Sequence, residues 1–347
     1  MSSKEKLQIT IITFNRSRHL ARTLATFTAE DSPVRGHDIL VLDNASTDDT
    51  REVVARVQDA FPRITYQRNP YNIGANANIV RAFETGRKDH LWIVADDDLY
   101  DWSSWPEVEA AIERGEQAII ISRMELPAEP NPPASRVLHQ AALVSACVFS
   151  RSLLNATVFR NLYDNVHTMF PHLIPLVHLL NDGGRFHVIR GQIVKHGSYE
   201  NQTAEDTSWS RGVAEAKLYR KARSMSFEVG FALAISHLQD ARLRHETLEM
   251  LIANLDPRTR PRSVPQVLGW QIRNYAAPED LGQLVDLYLN VSPRHRPQLA
   301  HGILGHFSVL TLLRHFPQRF LGQGRDRLRR SSLYQALRAA FRGGRNN

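Results

Sequence analysis

Hydrophobic residues near the start of the chain follow two different spacings. Continuous apolar runs predict buried β-strands at Leu7–Phe14, Asp38–Asn44 and Leu91–Asp98, and a shorter strand at Ile64–Gln67. Between these runs, apolar residues recur at helical spacing and predict helices at His19–Ala29, Asp48–Ala60 and Ile79–Glu84. We expect Ser46 or Thr47 to cap the second of these helices. Because strands and helices alternate, the sequence predicts an α/β fold with a mainly parallel sheet flanked by helices.

The pattern changes in the second part of the chain. Further strands are predicted at Ala118–Ser122 and within Phe186–Gly197, and a helix is predicted at His172–Asn181. After Asn201 the strand pattern ends, and Lys217–Leu255 is a long, proline-free segment with helical spacing. The sequence therefore predicts an α/β domain over residues 1–203 and an all-helical extension over residues 204–347.

Composition narrows the class of protein. The 347 residues include one cysteine, which excludes an intrachain disulfide and a cysteine metal cluster. No apolar run approaches the roughly 18 residues of a membrane span, and the first residues lack the pattern of a signal peptide. We therefore expect a cytoplasmic protein, either free or held at the inner face of the cell membrane.

The charge is concentrated at the end of the chain. The formal net charge is +7, and the tail, residues 325–347, contains seven arginines and one aspartate. Leu333, Leu337 and Phe341 recur every four residues there, as in a helix that lies on an anionic membrane surface. A solvated helix end and a packing helix of an oligomer are equally compatible with this pattern. The tail has too few aromatic residues for a nucleic-acid groove, so we expect no nucleic-acid partner.

Polar residues collect where the predicted strands end. Asp96, Asp97 and Asp98 follow an apolar strand, and adjacent carboxylates favour a bound cation such as Mg²⁺ or Mn²⁺. An acidic strand end that only caps the next helix is the alternative. The other strand-end segments are TFNR at Thr13–Arg16, LDNAST at Leu42–Thr47 and NPYNIGANAN at Asn69–Asn78. Ligands of parallel sheets bind at this edge, although each segment alone is also compatible with simple turns and caps.

Taken together, the strand-end segments resemble family 2 glycosyltransferases, which have the GT-A fold. The resemblance covers roughly residues 6–200, and it is carried by Ile12–Arg16, Val41–Thr50, Asn72–Asn78 and Val94–Asp98. It implies an inverting transfer of a sugar from a nucleotide-diphosphate donor to a hydroxyl of a saccharide or a lipid-linked saccharide. An oxidoreductase on a doubly wound sheet is not favoured, because the turn after the first strand contains no glycine.

The resemblance also implies roles for individual residues. Asp96 would contact the ribose side of the donor, and Asp98 and His196 would bind the divalent metal, Mn²⁺ or Mg²⁺. The remaining donor-binding residues would be Thr13, Phe14, Asn15, Arg16, Asp43, Asn72 and Gly74.

The catalytic base is the point at which this chain departs from the family pattern. Family members commonly carry a Glu-Asp pair at a helix start, and the corresponding positions here are Pro171 and His172. A neutral imidazole can accept a proton, so His172 is the predicted base, with Asp164 or Asp182 as the alternatives. A catalytically degenerate nucleotide-sugar-binding protein and a membrane-surface module are the rival functions.

Overall fold

A seven-stranded sheet forms the centre of the first part of the chain. We describe the computed structural model over residues 2–121, 132–195 and 227–253. The strand order is β3-β2-β1-β4-β7-β6-β8, and a separate two-stranded sheet pairs β5 with β9. The strands are β1 Leu7–Thr13, β2 Asp38–Asp43, β3 Ile64–Arg68, β4 His90–Ala95, β5 Leu99–Tyr100, β6 Ala118–Ile121, β7 Cys147–Ser150, β8 His187–Ile189 and β9 Val194–Lys195.

Helices connect the strands and cover the sheet. The α-helices are α1 Ser3–Lys6, α2 Ser17–Thr28, α3 Thr50–Gln58, α4 Ala75–Glu84, α5 Trp105–Arg114, α6 Ala134–Gln140, α7 Ala156–Asp164, α8 Ile174–Asn181, α9 Phe227–Ser236 and α10 Ala241–Ala253. Short 3₁₀ turns lie at Trp102–Ser104, Val144–Ala146, Arg151–Leu153, Val166–Thr168 and Pro171–Leu173. In α2 the buried apolar residues are Leu20, Leu24 and Phe27, which is the spacing that the sequence predicts for a core-facing helix.

The sheet is mainly parallel, as the alternating pattern predicts. Strand β1 pairs in parallel with both β2 and β4, and β2 pairs in parallel with β3. Strand β7 runs antiparallel to its neighbours β4 and β6. The register places Thr13 opposite Asp43, and Asp43 opposite Arg68, so β1, β2 and β3 end at the same edge. The connections that follow these strands therefore lie side by side.

One local expectation is wrong. Neither Ser46 nor Thr47 caps α3, which begins after Asp49, and the Ser46 hydroxyl donates to Asp43 instead. The segment Lys217–Leu255, for which helical spacing is predicted, contains two described helices, since α9 ends at Ser236 and α10 begins at Ala241. The Asp240 carboxylate accepts hydrogen bonds from the amides of Arg242 and Leu243, so it starts a new helix at the break.

The chain divides into two compact units. One comprises Met1–Val166 and Phe170–Arg220, and the other comprises His167–Met169 and Lys221–Asn347. The predicted boundary near residue 203 and the basic tail at residues 325–347 lie outside the described residues and stay predictions. Among the described helices, none combines the length and the apolar character that crossing a bilayer requires.

Candidate active site

The acidic triplet follows β4 and is held by residues from β1. The Arg16 guanidinium spans two of its carboxylates, with Nη1 3.1 Å from Asp96 Oδ1 and Nη2 2.7 Å from Asp97 Oδ2. The Thr13 hydroxyl donates to Asp96 Oδ2 at 2.6 Å. Burial raises the pKa of Asp96 to about 7, although Arg16 opposes the shift. Arg16 thus supplies part of the positive charge that three adjacent carboxylates favour.

Asp98 lies in a different environment from Asp96. Its side chain is buried, and Oδ2 accepts a hydrogen bond from the Ser145 hydroxyl in the segment before β7. Carboxylate oxygens are the ligands that Mg²⁺ and Mn²⁺ prefer, so the donor atoms fit the expected metal. No three His, Cys, Asp or Glu side chains of the described segments are grouped as a metal-ligand set.

The second predicted metal ligand, His196, lies outside the described residues. The described chain stops at Lys195, which pairs with Leu99 in the β5–β9 ladder. Leu99 is the residue after Asp98.

Asp43 is fully buried at the end of β2, and its carboxylate is surrounded by donors. Oδ1 accepts hydrogen bonds from the Ser46 amide at 2.9 Å and the Ser46 hydroxyl at 2.6 Å. Oδ2 accepts the Tyr66 hydroxyl at 2.5 Å and lies 3.6 Å from Arg68 Nε. Burial, followed by this bond to Asp43, raises the pKa of Tyr66 above its ordinary value. Asp43 therefore shapes the turn after β2 through Oδ1 and contacts the side chains of β3 through Oδ2.

The connection after β1 is bonded to the connection after β2. The Asn15 amide donates to Ser46 Oγ at 2.8 Å, and Asn15 Oδ1 accepts the Thr47 amide at 2.7 Å. Asp48 Oδ2 accepts the Ser17 amide at the start of α2, while Oδ1 accepts the Thr50 amide and hydroxyl at the start of α3. These bonds fix the two connections relative to each other.

Four asparagines link the connection after β2 to the one after β3. Asn44 Nδ2 donates to Asn72 Oδ1 at 2.8 Å, and Asn44 Oδ1 accepts from Asn69 Nδ2 at 3.1 Å. Asn69 Nδ2 also donates to Asn78 Oδ1 at 2.8 Å. The Gly74 amide donates to Asn72 Oδ1, and Gly74 has a φ of 86°, a backbone conformation that favours glycine.

The predicted donor-binding residues thus lie at one edge of the sheet. Thr13 and Arg16 each contact Asp96 directly, whereas Asp43, Asn72 and Gly74 belong to the polar network after β2 and β3. Several residues that complete this arrangement carry no predicted role in the site, namely Asn44, Ser46, Asp48, Tyr66, Asn69, Asn78 and Ser145. Most of these lie inside the strand-end segments, which is the signal that could have identified them.

His172, the predicted base, lies in the interior. Only 3% of the residue is exposed, and Nε2 donates to the Ala142 carbonyl at 3.1 Å, since a carbonyl can only accept. Nδ1 makes no hydrogen bond within the described segments. Burial lowers the pKa of His172 to about 4. Asp164 and Asp182, the alternative bases, are exposed.

The sequence was compared with family models and with known proteins. The model of the family described as glycosyl transferase family 2 matches residues 8–176. Abequosyltransferase RfbV of Salmonella typhimurium (strain LT2) is 33% identical over 90 residues, which are 25% of this chain and 27% of that protein. The match therefore spans about a quarter of this curated relative.

The structure was also compared with solved structures. S. aureus TarS 1-349 in complex with UDP superposes with a TM-score of 0.51 at 15% identity, over 92% of this chain and 93% of that one. Mannosyltransferase PcManGT from Pyrobaculum calidifontis, in complex with GDP-Man and Mn²⁺, superposes with a TM-score of 0.45 at 14% identity, over 97% of this chain and 86% of that one. The first likeness confirms the GT-A-like fold. Over residues 8–176, the chain therefore matches the model of glycosyl transferase family 2, within a GT-A-like fold.

Proposed function

We propose that this protein is an inverting, metal-dependent glycosyltransferase. It would move a sugar from a nucleotide-diphosphate donor to a hydroxyl of a saccharide or a lipid-linked saccharide, in bacterial polysaccharide assembly. The observation that carries the proposal is the position of Asp96 and Asp98 directly after β4, where Thr13 and Arg16 from the neighbouring connection contact Asp96. Ligands of parallel sheets bind at this edge.

The donor would lie across the ends of β1, β2 and β4. Phe14 is partly exposed there and offers a ring face for the nucleobase, while the Asn44–Asn72 pair offers amide groups for polar contacts. Asp96 is held by Thr13 and Arg16 and would face the ribose side.

Asp98 and His196 would hold the divalent metal. A metal at this position supplies positive charge that stabilises the departing diphosphate. The proposal for His196 is supported by the pairing of Lys195, its neighbour in sequence, with Leu99, the neighbour of Asp98. The chain's own Arg16 adds a positive charge beside Asp96 and Asp97, so the triplet does not repel the anionic donor with its full charge.

A base of this chain would take the proton from the acceptor hydroxyl while its oxygen attacks the anomeric carbon. His172 remains the proposed base from its position in the family pattern, with Asp164 and Asp182 as alternatives. Positioned bases contribute about 10²–10⁴-fold to rate, so substitution of the true base has an effect of that size on kcat.

The test is turnover of a panel of UDP-, GDP-, CDP- and dTDP-sugars, with Mn²⁺, with Mg²⁺ and with EDTA. We expect release of the nucleoside diphosphate from one class of donor, lost in EDTA. Asp98→Asn should lower this turnover on the order of a hundredfold, because it removes a charged ligand. Asp101→Asn is the matched control, since Asp101 is half-exposed and accepts from Ser103 and Lys195 outside the triplet.

Two results would contradict the proposal. Turnover that is unchanged in EDTA, or in Asp98→Asn, would refute metal dependence at this site. Nucleotide binding without turnover of any donor, with or without saccharide acceptors, would identify a catalytically degenerate nucleotide-sugar-binding protein instead.

A further inference from the structure

Ser145 is a fully buried serine that connects the segment before β7 to the acidic triplet. Its Oγ accepts a hydrogen bond from the Ala95 amide at 3.0 Å and donates one to Asp98 Oδ2. Its carbonyl accepts the Trp92 indole N–H at 2.8 Å. Ser145 is thus attached to β4 at two points, through its backbone and through its side chain.

The direction of these bonds follows from their chemistry. The Ala95 amide can only donate, so the Ser145 oxygen accepts there. A hydroxyl has one hydrogen, and the bond to Asp98 uses it. Asp98 Oδ2 therefore accepts from the Ser145 hydroxyl, and β4 fixes the position of that hydroxyl through the Ala95 amide. Carboxylates that ligate metals are commonly oriented by such partners.

We propose that Ser145 is the positioning residue for the metal ligand Asp98, with no direct contact to metal or donor. This inference rests on the proposed function, because it requires Asp98 to be a metal ligand. The hydroxyl holds Oδ2, which fixes the rotation of the carboxylate and so the direction that it presents to a cation. Without the hydroxyl, Asp98 keeps its charge and loses the restraint that Ser145 places on Oδ2.

The size of the effect follows from other metal sites. Loss of a residue that orients a metal ligand typically costs about 10–100-fold in metal affinity. Ser145→Ala should weaken Mn²⁺ binding by this factor and raise the Mn²⁺ concentration for half-maximal turnover equally. At saturating Mn²⁺, kcat should remain within about twofold of the wild-type value, because a saturated site restores the same ligand set. A purely structural role would lower kcat and leave Mn²⁺ affinity unchanged.

The experiment titrates the full-length protein with Mn²⁺ alone and measures free Mn²⁺ by electron paramagnetic resonance. Ser145→Thr keeps the hydroxyl and should bind Mn²⁺ within about threefold of wild type. Ser150→Ala is the matched control, since Ser150 is another buried serine, at the end of β7, and its hydroxyl bonds Ser152. Ser145→Cys gives a second test with a weaker donor and similar volume, in case the alanine variant does not fold.

The outcomes separate this inference from the proposed function. If Asp98→Asn binds Mn²⁺ as wild type does, Asp98 is not a metal ligand, and both the proposed metal site and the role of Ser145 are refuted. If Asp98→Asn loses Mn²⁺ binding while a folded Ser145→Ala or Ser145→Cys protein retains wild-type affinity, only the role of Ser145 is refuted. Weaker binding in the alanine and cysteine variants, recovered in Ser145→Thr, supports it.

Discussion

His37 lies far from the candidate active site, and we expect its titration to make the stability of the fold depend on pH. The residue precedes β2, at the opposite edge of the sheet from the acidic triplet, and it is fully buried with its ring 6.0 Å from that of Trp105. Neither ring nitrogen makes a hydrogen bond within the described segments. Burial lowers the pKa of His37 to about 4, and the nearby charges of Lys4 and Arg63 act in the same direction, while Asp38 opposes them.

The sign of the effect follows from this lowered pKa. In the unfolded chain the pKa of this histidine is near 6.5. Between pH 6.5 and pH 4, His37 is therefore protonated in the unfolded state and neutral in the folded state. The contribution of His37 to the free energy of unfolding is therefore largest above pH 6.5 and falls as the pH drops towards 4. For these two pKa values, the loss between pH 7 and pH 5 is about 2 kcal/mol.

The assay compares urea unfolding of wild type and His37→Leu at a series of pH values. Leucine removes the titrating ring and the two unpaired nitrogens, so at pH 7 the variant should be as stable as wild type or slightly more stable. The difference between the two proteins should grow by about 2 kcal/mol from pH 7 to pH 5. Only this difference is diagnostic, because Asp96, with its pKa raised to about 7, titrates in the opposite sense.

Val34→Ala is the matched control. Val34 is also fully buried, three residues earlier, and it carries no titrating group. Its truncation should lower the free energy of unfolding by a similar amount at every pH. A His37→Leu protein whose pH profile runs parallel to that of wild type would refute the reasoning, since burial of a neutral imidazole would then not account for the profile.

Three further predictions can be checked directly. Ala45 has a φ of 69°, so Ala45→Gly should raise the free energy of unfolding by about 0.5–1 kcal/mol in urea unfolding, and a decrease would contradict strain there. His172→Ala should lower kcat by about 10²–10⁴-fold and leave donor affinity unchanged, whereas a loss of only a few-fold would move the base to Asp164 or Asp182. Deleting residues 325–347 should weaken flotation with anionic vesicles at low salt, and absence of flotation in the full chain would assign the tail to solvent or an oligomer.

The fold could be predicted from the sequence because its strands are buried on both faces. Such strands give continuous apolar runs, and the predicted run Asp38–Asn44 differs from β2 by one residue. The pattern fails where one side-chain hydrogen bond decides the outcome. Asp240 interrupts a segment that is otherwise helical by spacing, and Ser46 bonds Asp43 rather than a helix end.

The site could be predicted only in part, because motifs mark positions along the chain and not contacts across it. Thr13 and Asp96 stood in separate motifs, and sheet register brings their side chains to 2.6 Å. Ser145 belongs to no motif, since its contact with Asp98 depends on β7 running antiparallel beside β4. For His172 the motif gave no information on burial, which depends on contacts across the chain.

The polar network explains how two strained turns persist next to the proposed donor site. Asn15 and Ala45 have φ values of 52° and 69°, in the left-handed region that costs non-glycine residues free energy. Each turn is held by the other, since Asn15 bonds Ser46 and Thr47 through its backbone and side chain. Loss of the Ser46 hydroxyl would therefore weaken both turns, because Asn15 and Asp43 would each lose one of their partners. Their joint geometry follows from bonds between the turns and not from the local sequence of either one.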